Sequence, residues 1–160
     1  MREEVKFMVK VTGATAYMAV SGRPTYLNCR CAADFLNAVL EKGCAHVVLD
    51  FANCTGMDST FLGMIAGIAL KLNKTGGDVT MLNLNERNRE LVDNLGIFKL
   101  VKIGESQDQT GGASELQCSG SASYANILGA HENLIEADSS NLSKFEDVIT
   151  FLKKDGDLYK

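Results

Sequence analysis

The chain has 160 residues, 46% of them hydrophobic, and a formal net charge of −4. That suits one globular domain with an appendage, and no run of about 18 apolar residues is present to cross a bilayer as a helix. With no tryptophan, no basic stripe and no aromatic ladder, direct nucleic-acid binding is not expected.

The charge is uneven. Residues 1–105 carry 12 basic and 11 acidic side chains, a balance of +1, while residues 106–160 carry 4 basic and 9 acidic, a balance of −5. The acidic tail argues against DNA and anionic membranes as partners. Met1-Arg2-Glu3-Glu4 lacks the charged-then-apolar build of a signal peptide, so a cytoplasmic location is expected. The cysteines, Cys29, Cys31, Cys44, Cys54 and Cys118, show no repeated spacing. Cys29-Arg30-Cys31 is not the two-residue spacing of zinc or redox motifs. All five read as free thiols, and neither a metal nor a cofactor is expected.

Along the chain, Val5, Phe7, Val9 and Val11 alternate with Lys6, Met8 and Lys10, the pattern of a half-buried strand. Gly13-Ala14 is a turn, and residues 15–20 complete a hairpin. Phe35, Leu36, Val39 and Leu40 then fall at helical spacing, with Gly43 as a stop. Residues 46–51 are short and almost wholly apolar, as expected of a central strand covered on both faces. A long apolar helix runs from about residue 59 to 73, and residues 79–82 form another strand. Residues 85–95 form an amphipathic helix with Leu84, Leu91 and Leu95 facing inward, and residues 98–103 read as a last strand. Strands alternating with helices imply an α/β fold with a mixed sheet.

Residues 106–123 are rich in Gly, Ser and Gln and read as a flexible linker. Beyond it, Tyr124, Ile127, Leu128, His131, Leu134 and Ile135 form one helical stripe, and Phe145, Val148, Ile149 and Leu152 another. Ser143 with Glu146 suggests a capping box for the second helix. The expected organisation is an α/β domain over residues 1–105, the linker, and a helical hairpin over residues 124–160.

The chemistry concentrates at Met57-Asp58-Ser59-Thr60-Phe61-Leu62-Gly63, where an apolar strand and a polar loop give way to a helix. Unpaired N–H groups and the dipole at a helix N-terminus favour negative charge, so a phosphate on either hydroxyl is well placed there. The same residues serve equally as an ordinary N-cap, through Asp58 or Ser59. Conventional catalysis finds no support: there is no nucleophile elbow, no Gly-rich phosphate loop after the first strand and no evident acid–base pair. Asp50 ends a buried strand, where receiver domains accept phosphate. The first strand ends Lys10-Val11-Thr12-Gly13, however, without the acidic pair that chemistry requires. Asp50 is expected instead to bind loop N–H groups beneath the hydroxyls.

The strand ending Val48-Leu49-Asp50-Phe51, the hydroxyl motif, Gly76-Gly77-Asp78-Val79-Thr80-Met81 and Asn94-Leu95-Gly96-Ile97-Phe98-Lys99 together resemble a STAS domain, closest to the bacterial anti-sigma factor antagonists. The resemblance covers about residues 3–105. It implies a STAS-like mixed sheet with helices packed against it, and a non-enzymatic regulatory protein working by partner switching. In such antagonists a serine kinase of the GHKL type, which is also the anti-sigma factor, phosphorylates the motif. The unphosphorylated form binds that kinase and frees the sigma factor, and a metal-dependent serine phosphatase resets the switch. Carried onto this chain, Thr60 is the phosphoacceptor with Ser59 the alternative, and Asp58, Ser59, Thr60, Phe61, Leu62 and Asn53 form the partner-binding set. STAS modules also build the shells of stress-signalling assemblies. A scaffold role, with self-association through the C-terminal helices, is therefore the alternative reading. The chain departs from the family pattern twice. Ser21-Gly22-Arg23-Pro24-Thr25-Tyr26-Leu27-Asn28 lacks the family's acids after the second strand, and Phe61 replaces the usual small residue.

Overall fold

The structure, a computed structural model, describes residues 4–107 and 109–156. Residues 1–3 of the expected domain and 157–160 of the expected hairpin lie outside the described residues. The elements are β1 (Lys6–Thr12), β2 (Thr15–Gly22), α1 (Arg30–Glu41), β3 (His46–Cys54), α2 (Ser59–Lys74), β4 (Asp78–Leu82), α3 (Glu86–Asn94), β5 (Lys102–Gly104), β6 (Ser114–Glu115), α4 (Tyr124–Ala137) and α5 (Leu142–Gly156), with short 3-10 turns at Ile97–Lys99 and Ser139–Asn141.

The six strands form one sheet in the order β5-β4-β3-β2-β1-β6. The β1–β2 hairpin is antiparallel, while β2, β3, β4 and β5 pair in parallel. From β2 to β5 the strand order advances in one direction without reversing. Right-handed crossovers along such a series place their helices, α1, α2 and α3, on the same face. Burial agrees: Phe7, Met18, Val47, Leu49, Phe51, Val79 and Met81 join the core with Leu36, Phe61, Leu62, Ile65 and Val92. On the opposite face Met8, Ala19, Val48 and Thr80 are only half-buried. The central strand is therefore covered fully on one face, not on both as its apolar run suggests. A series without reversal also lacks the switch-point crevice where doubly wound sheets bind ligands.

Two further expectations are corrected. Residues 98–103 are not one strand: Gly96, at φ +71°, ends α3, and the turn after it drives Ile97 into the core before β5 begins. Glycine adopts that left-handed backbone without steric cost. Ser143 is not the cap of the last helix either. Asp138 caps the turn before it, its Oδ1 accepting from Ser140 N. The fully buried Asn141 pins that turn by donating to the carbonyls of Leu95 (2.9 Å) and Leu134 (2.7 Å). These bonds hold α4 and the start of α5 to the end of α3.

The segment between the domain and the hairpin has structure of its own. Ser114 and Glu115 pair with Val9 and Met8 as β6, and Leu116 N donates to Phe7 O. Cys118 forms a disulfide with Cys31 at the start of α1, correcting the reading of five free thiols; Cys29, Cys44 and Cys54 are buried and take no part in it. The composition of this segment gives no sign of either feature, because a two-residue edge strand has no periodicity to detect. The hairpin then folds back in cis, with α4 packed along α2.

Candidate functional site

Asp58 settles which residue caps α2. Its extended backbone (φ −100°, ψ 175°) precedes the helix, and its Oδ1 accepts from Phe61 N at 2.9 Å. The second oxygen, Oδ2, accepts from Tyr26 N at 2.9 Å, and Asp58 N donates to Pro24 O. One carboxylate thus joins the start of α2 to the 23–28 loop, where the family resemblance leads one to expect acids. Tyr26 and Leu27 expose their side chains beside the motif.

The two hydroxyls differ in setting. Ser59, the first residue of α2, is half-buried, and its Oγ lies 2.9 Å from His131 Nε2 on α4. His131 Nδ1 lies 2.7 Å from the carbonyl oxygen of Ile127. A carbonyl only accepts, so Nδ1 carries a proton; in the neutral ring Nε2 is then the acceptor and Ser59 the donor. Thr60 is only 3% exposed. A helix puts neighbouring residues about 100° apart, so the two hydroxyls leave α2 in different directions.

Phe61 and Leu62, expected on a docking surface, have their side chains in the core instead, each 0% exposed. The Phe61 ring lies 6.0 Å from that of Phe7 on β1, filling space that a small residue would leave empty. Asn53 is exposed at the end of β3. It lines a cavity of about 550 Å³ with Asp50, Asn83, Ser106 and Thr110, apart from the Ser59–His131 contact.

Asp50 behaves broadly as its position suggests, with more partners than loop amides alone. Its Oδ1 accepts from Ala52 N and from Asn83 Nδ2, both at 3.0 Å, and its Oδ2 accepts from Tyr17 Oη at 3.0 Å. Asn83 adopts φ +61° and also bonds both N and O of Ser106. The cluster braces the loop ends of β3 and β4. Cys29 lies deep between α1 and α2, its Sγ 3.5 Å from Met64 Sδ. Burial, with the Asp58 carboxylate nearby, pushes its thiol up to about 12.

His131, Ala130 and Asn133 are the site residues that sequence reasoning did not single out. His131 belongs to the helical stripe that begins at Tyr124, but nothing in a stripe tells which surface it meets.

The family model described as STAS domain matches residues 6–110, from β1 to just beyond β5. An anti-sigma F factor antagonist of Paenibacillus polymyxa is 33% identical over 70 residues, 44% of this chain and 60% of that protein. The chain thus matches less than two thirds of that relative's length. Among solved structures, an anti-sigma factor antagonist from Mycobacterium paratuberculosis has a TM-score of 0.56 at 17% identity, over 70% of this chain and 97% of the other. The Bacillus cell fate determinant SpoIIAA in its phosphorylated form has a TM-score of 0.53 at 16% identity, over 66% and 95%. At those identities the likeness is one of fold. The matched family span ends before β6 and the helical hairpin, and from β1 to β5 the chain belongs to the STAS domain family.

Proposed function

We propose that this protein is a regulatory binding module of the anti-sigma factor antagonist kind, switched by phosphorylation of the Ser59–Thr60 pair. The observation that carries this reading is a pair of hydroxyls at the N-terminus of α2, capped by Asp58, on a STAS fold. Phosphate adds about −1.5 to −2 charges. The helix end tolerates that charge, but a partner docking flush over it next to Asp58 would have to desolvate it, at a cost of several kcal/mol unless a cation matches it. Thr60 is the acceptor that the family resemblance implies. The 3% exposure of Thr60 against the half-buried Ser59 favours Ser59 in this chain. The partners are then an anti-sigma factor that is itself a GHKL-type serine kinase, and a metal-dependent serine phosphatase. Incubation with the kinase encoded nearest its gene and ATP, followed by peptide mass spectrometry, tests this. Phosphate on Ser59 or Thr60 is expected, and its absence from both would refute the switch.

One observation favours the scaffold reading as a second possibility: Val148 and Phe151 on α5 are exposed, Phe151 at 56%. Light scattering of the full chain and a Phe151→Lys variant decides it. A defined oligomer lost in the variant supports the scaffold, and a monomer in both removes it.

A further inference from the structure

Ser59, Gly63 and Gly67 succeed one another four residues apart and form one stripe along α2. All three meet α4. Ser59 bonds His131. A Cβ placed at Gly63 would collide with the carbonyl oxygen of Ala130, and one at Gly67 with the amide of Asn133. Asn133 Nδ2 in turn donates to Gly63 O at 3.2 Å. The motif turn and α4 are thus fitted to each other along the same line.

The fit is incomplete on the side facing α1. A cavity of about 190 Å³ remains there, lined by Ala33, Met64, Gly67, Ala125, Gly129 and others. What holds α4 from that side is the chain leading into it: the disulfide between Cys31 and Cys118, then a bond from Ala122 N to Tyr26 O at 2.7 Å. Cys118 is exposed and Cys31 half-buried, whereas Cys29, Cys44 and Cys54 are buried. Reductants therefore reach this sulfur pair.

We propose that the Cys31–Cys118 disulfide is a redox-modification site for a dithiol reductant, and that its reduction releases α4 from the Asp58-Ser59-Thr60 turn. This rests on the proposed switch, which it places under a removable cover. In the reaction a thiolate of the dithiol attacks the Cys118 sulfur and forms a mixed disulfide. The second thiol of the reductant then closes its own disulfide. Two electrons and two protons end on Cys31 and Cys118, and the reductant leaves oxidised. Such disulfides in reducing compartments are transient or sensing ones.

The size of the effect follows from chain length. With the disulfide closed, α4 is tethered through residues 119–123. Once it opens, the two-residue β6 is too short to hold the segment, and the tether extends back to Gly104, the end of β5. That is a nearly fourfold longer tether, and effective concentration falls roughly as the −3/2 power of length, so the uncovered population rises about sevenfold.

Hydrogen-exchange mass spectrometry of the full-length protein, oxidised and after dithiothreitol, tests this without any kinase. Exchange over α4 and the first two turns of α2 is expected to quicken about sevenfold on reduction, with β3 and β4 unchanged. Cys118→Ser should give the reduced pattern under both conditions. If that variant folds poorly, Gly63→Ala serves instead, since the three atoms nearest its methyl all belong to Ala130 on α4: it should free α4 and abolish the response to dithiothreitol. Equal protection of α4 in oxidised and reduced protein, with both thiols shown to be free by alkylation, overturns the proposal. A cover that opens in this way while the kinase phosphorylates neither form supports the redox site and counts against the phosphorylation reading alone.

Discussion

Ser59 Oγ and His131 Nε2 lie 2.9 Å apart, although the residues are 72 positions apart in the chain. The contact occupies the hydroxyl that stands nearest the surface at the helix start. It does so with a ring oriented by its own helix, through Nδ1 and Ile127 O, and packed edge-on against Phe145 of α5 at 4.9 Å between centroids. Any enzyme that modified Ser59 would first have to break this contact.

The two hydroxyls are therefore expected to respond differently to the same substitution. Thr60→Glu puts an unpaired carboxylate into the core and costs several kcal/mol. Ser59→Glu loses the His131 contact but leaves its charge at a helix N-terminus, which favours it by about 0.3–1 kcal/mol. Urea unfolding followed by circular dichroism should show a large loss of midpoint for Thr60→Glu and a small one for Ser59→Glu. Similar losses for both would contradict the burial difference.

Phe61, where the family resemblance implies a small residue, is a core residue here. Phe61→Ala should destabilise the domain by about 3–5 kcal/mol, as expected when a buried aromatic leaves a cavity. The variant chain, studied by chemical unfolding, should also lose packing at Phe7, its ring neighbour. A loss below about 1 kcal/mol would mean that the ring is not held in the core.

Acid should loosen the attachment of α4. Asp138 follows α4, and its carboxyl is held well below the ordinary carboxylate range, first by a hydrogen bond from Lys99 (2.9 Å) and then by bonds from Ser140. Asp78 is lowered in the same direction by His46 and then Lys102. A depressed carboxyl stabilises the fold above its unfolded value of about 3.9, and this contribution is lost as pH falls through the lower folded value. Stability should therefore decline below about pH 4. Asp138→Asn should flatten part of that slope, and salt should weaken the effect because these ion pairs are exposed. An unchanged pH profile in Asp138→Asn would exclude the role given to this carboxylate.

Cysteine alkylation should separate the thiols cleanly. With its thiol near 12, Cys29 at pH 8 has a thiolate fraction on the order of one in ten thousand. After reduction of the native protein, iodoacetamide should label Cys31 and Cys118 rapidly and leave Cys29 unlabelled until the chain unfolds. Rapid labelling of Cys29 in the native state would place it outside the core.

Much of the fold was legible because its signals are local. Alternation in β1, the helical spacing of Phe35, Leu36, Val39 and Leu40, and the glycines after α1 and α3 each act within a few residues, and sequence records such patterns directly. The limits of the reading came where an apolar run has two structural solutions. Residues 98–103 are apolar enough for a strand, but the left-handed Gly96 before them starts a turn that sends Ile97 inward first. Ser143 suits a cap, yet the buried amide of Asn141 fixes the turn before it.

The same division holds at the candidate site. By itself the sequence determined that a capped pair of hydroxyls opens a helix after a buried strand, because capping and period depend on residues within one or two turns. Tertiary structure alone decided which hydroxyl faces outward, that Phe61 faces the core, that Cys31 pairs with Cys118, and that His131 closes over Ser59. Those outcomes depend on which surfaces meet across the fold. A helical stripe states that it must be buried and leaves open what buries it.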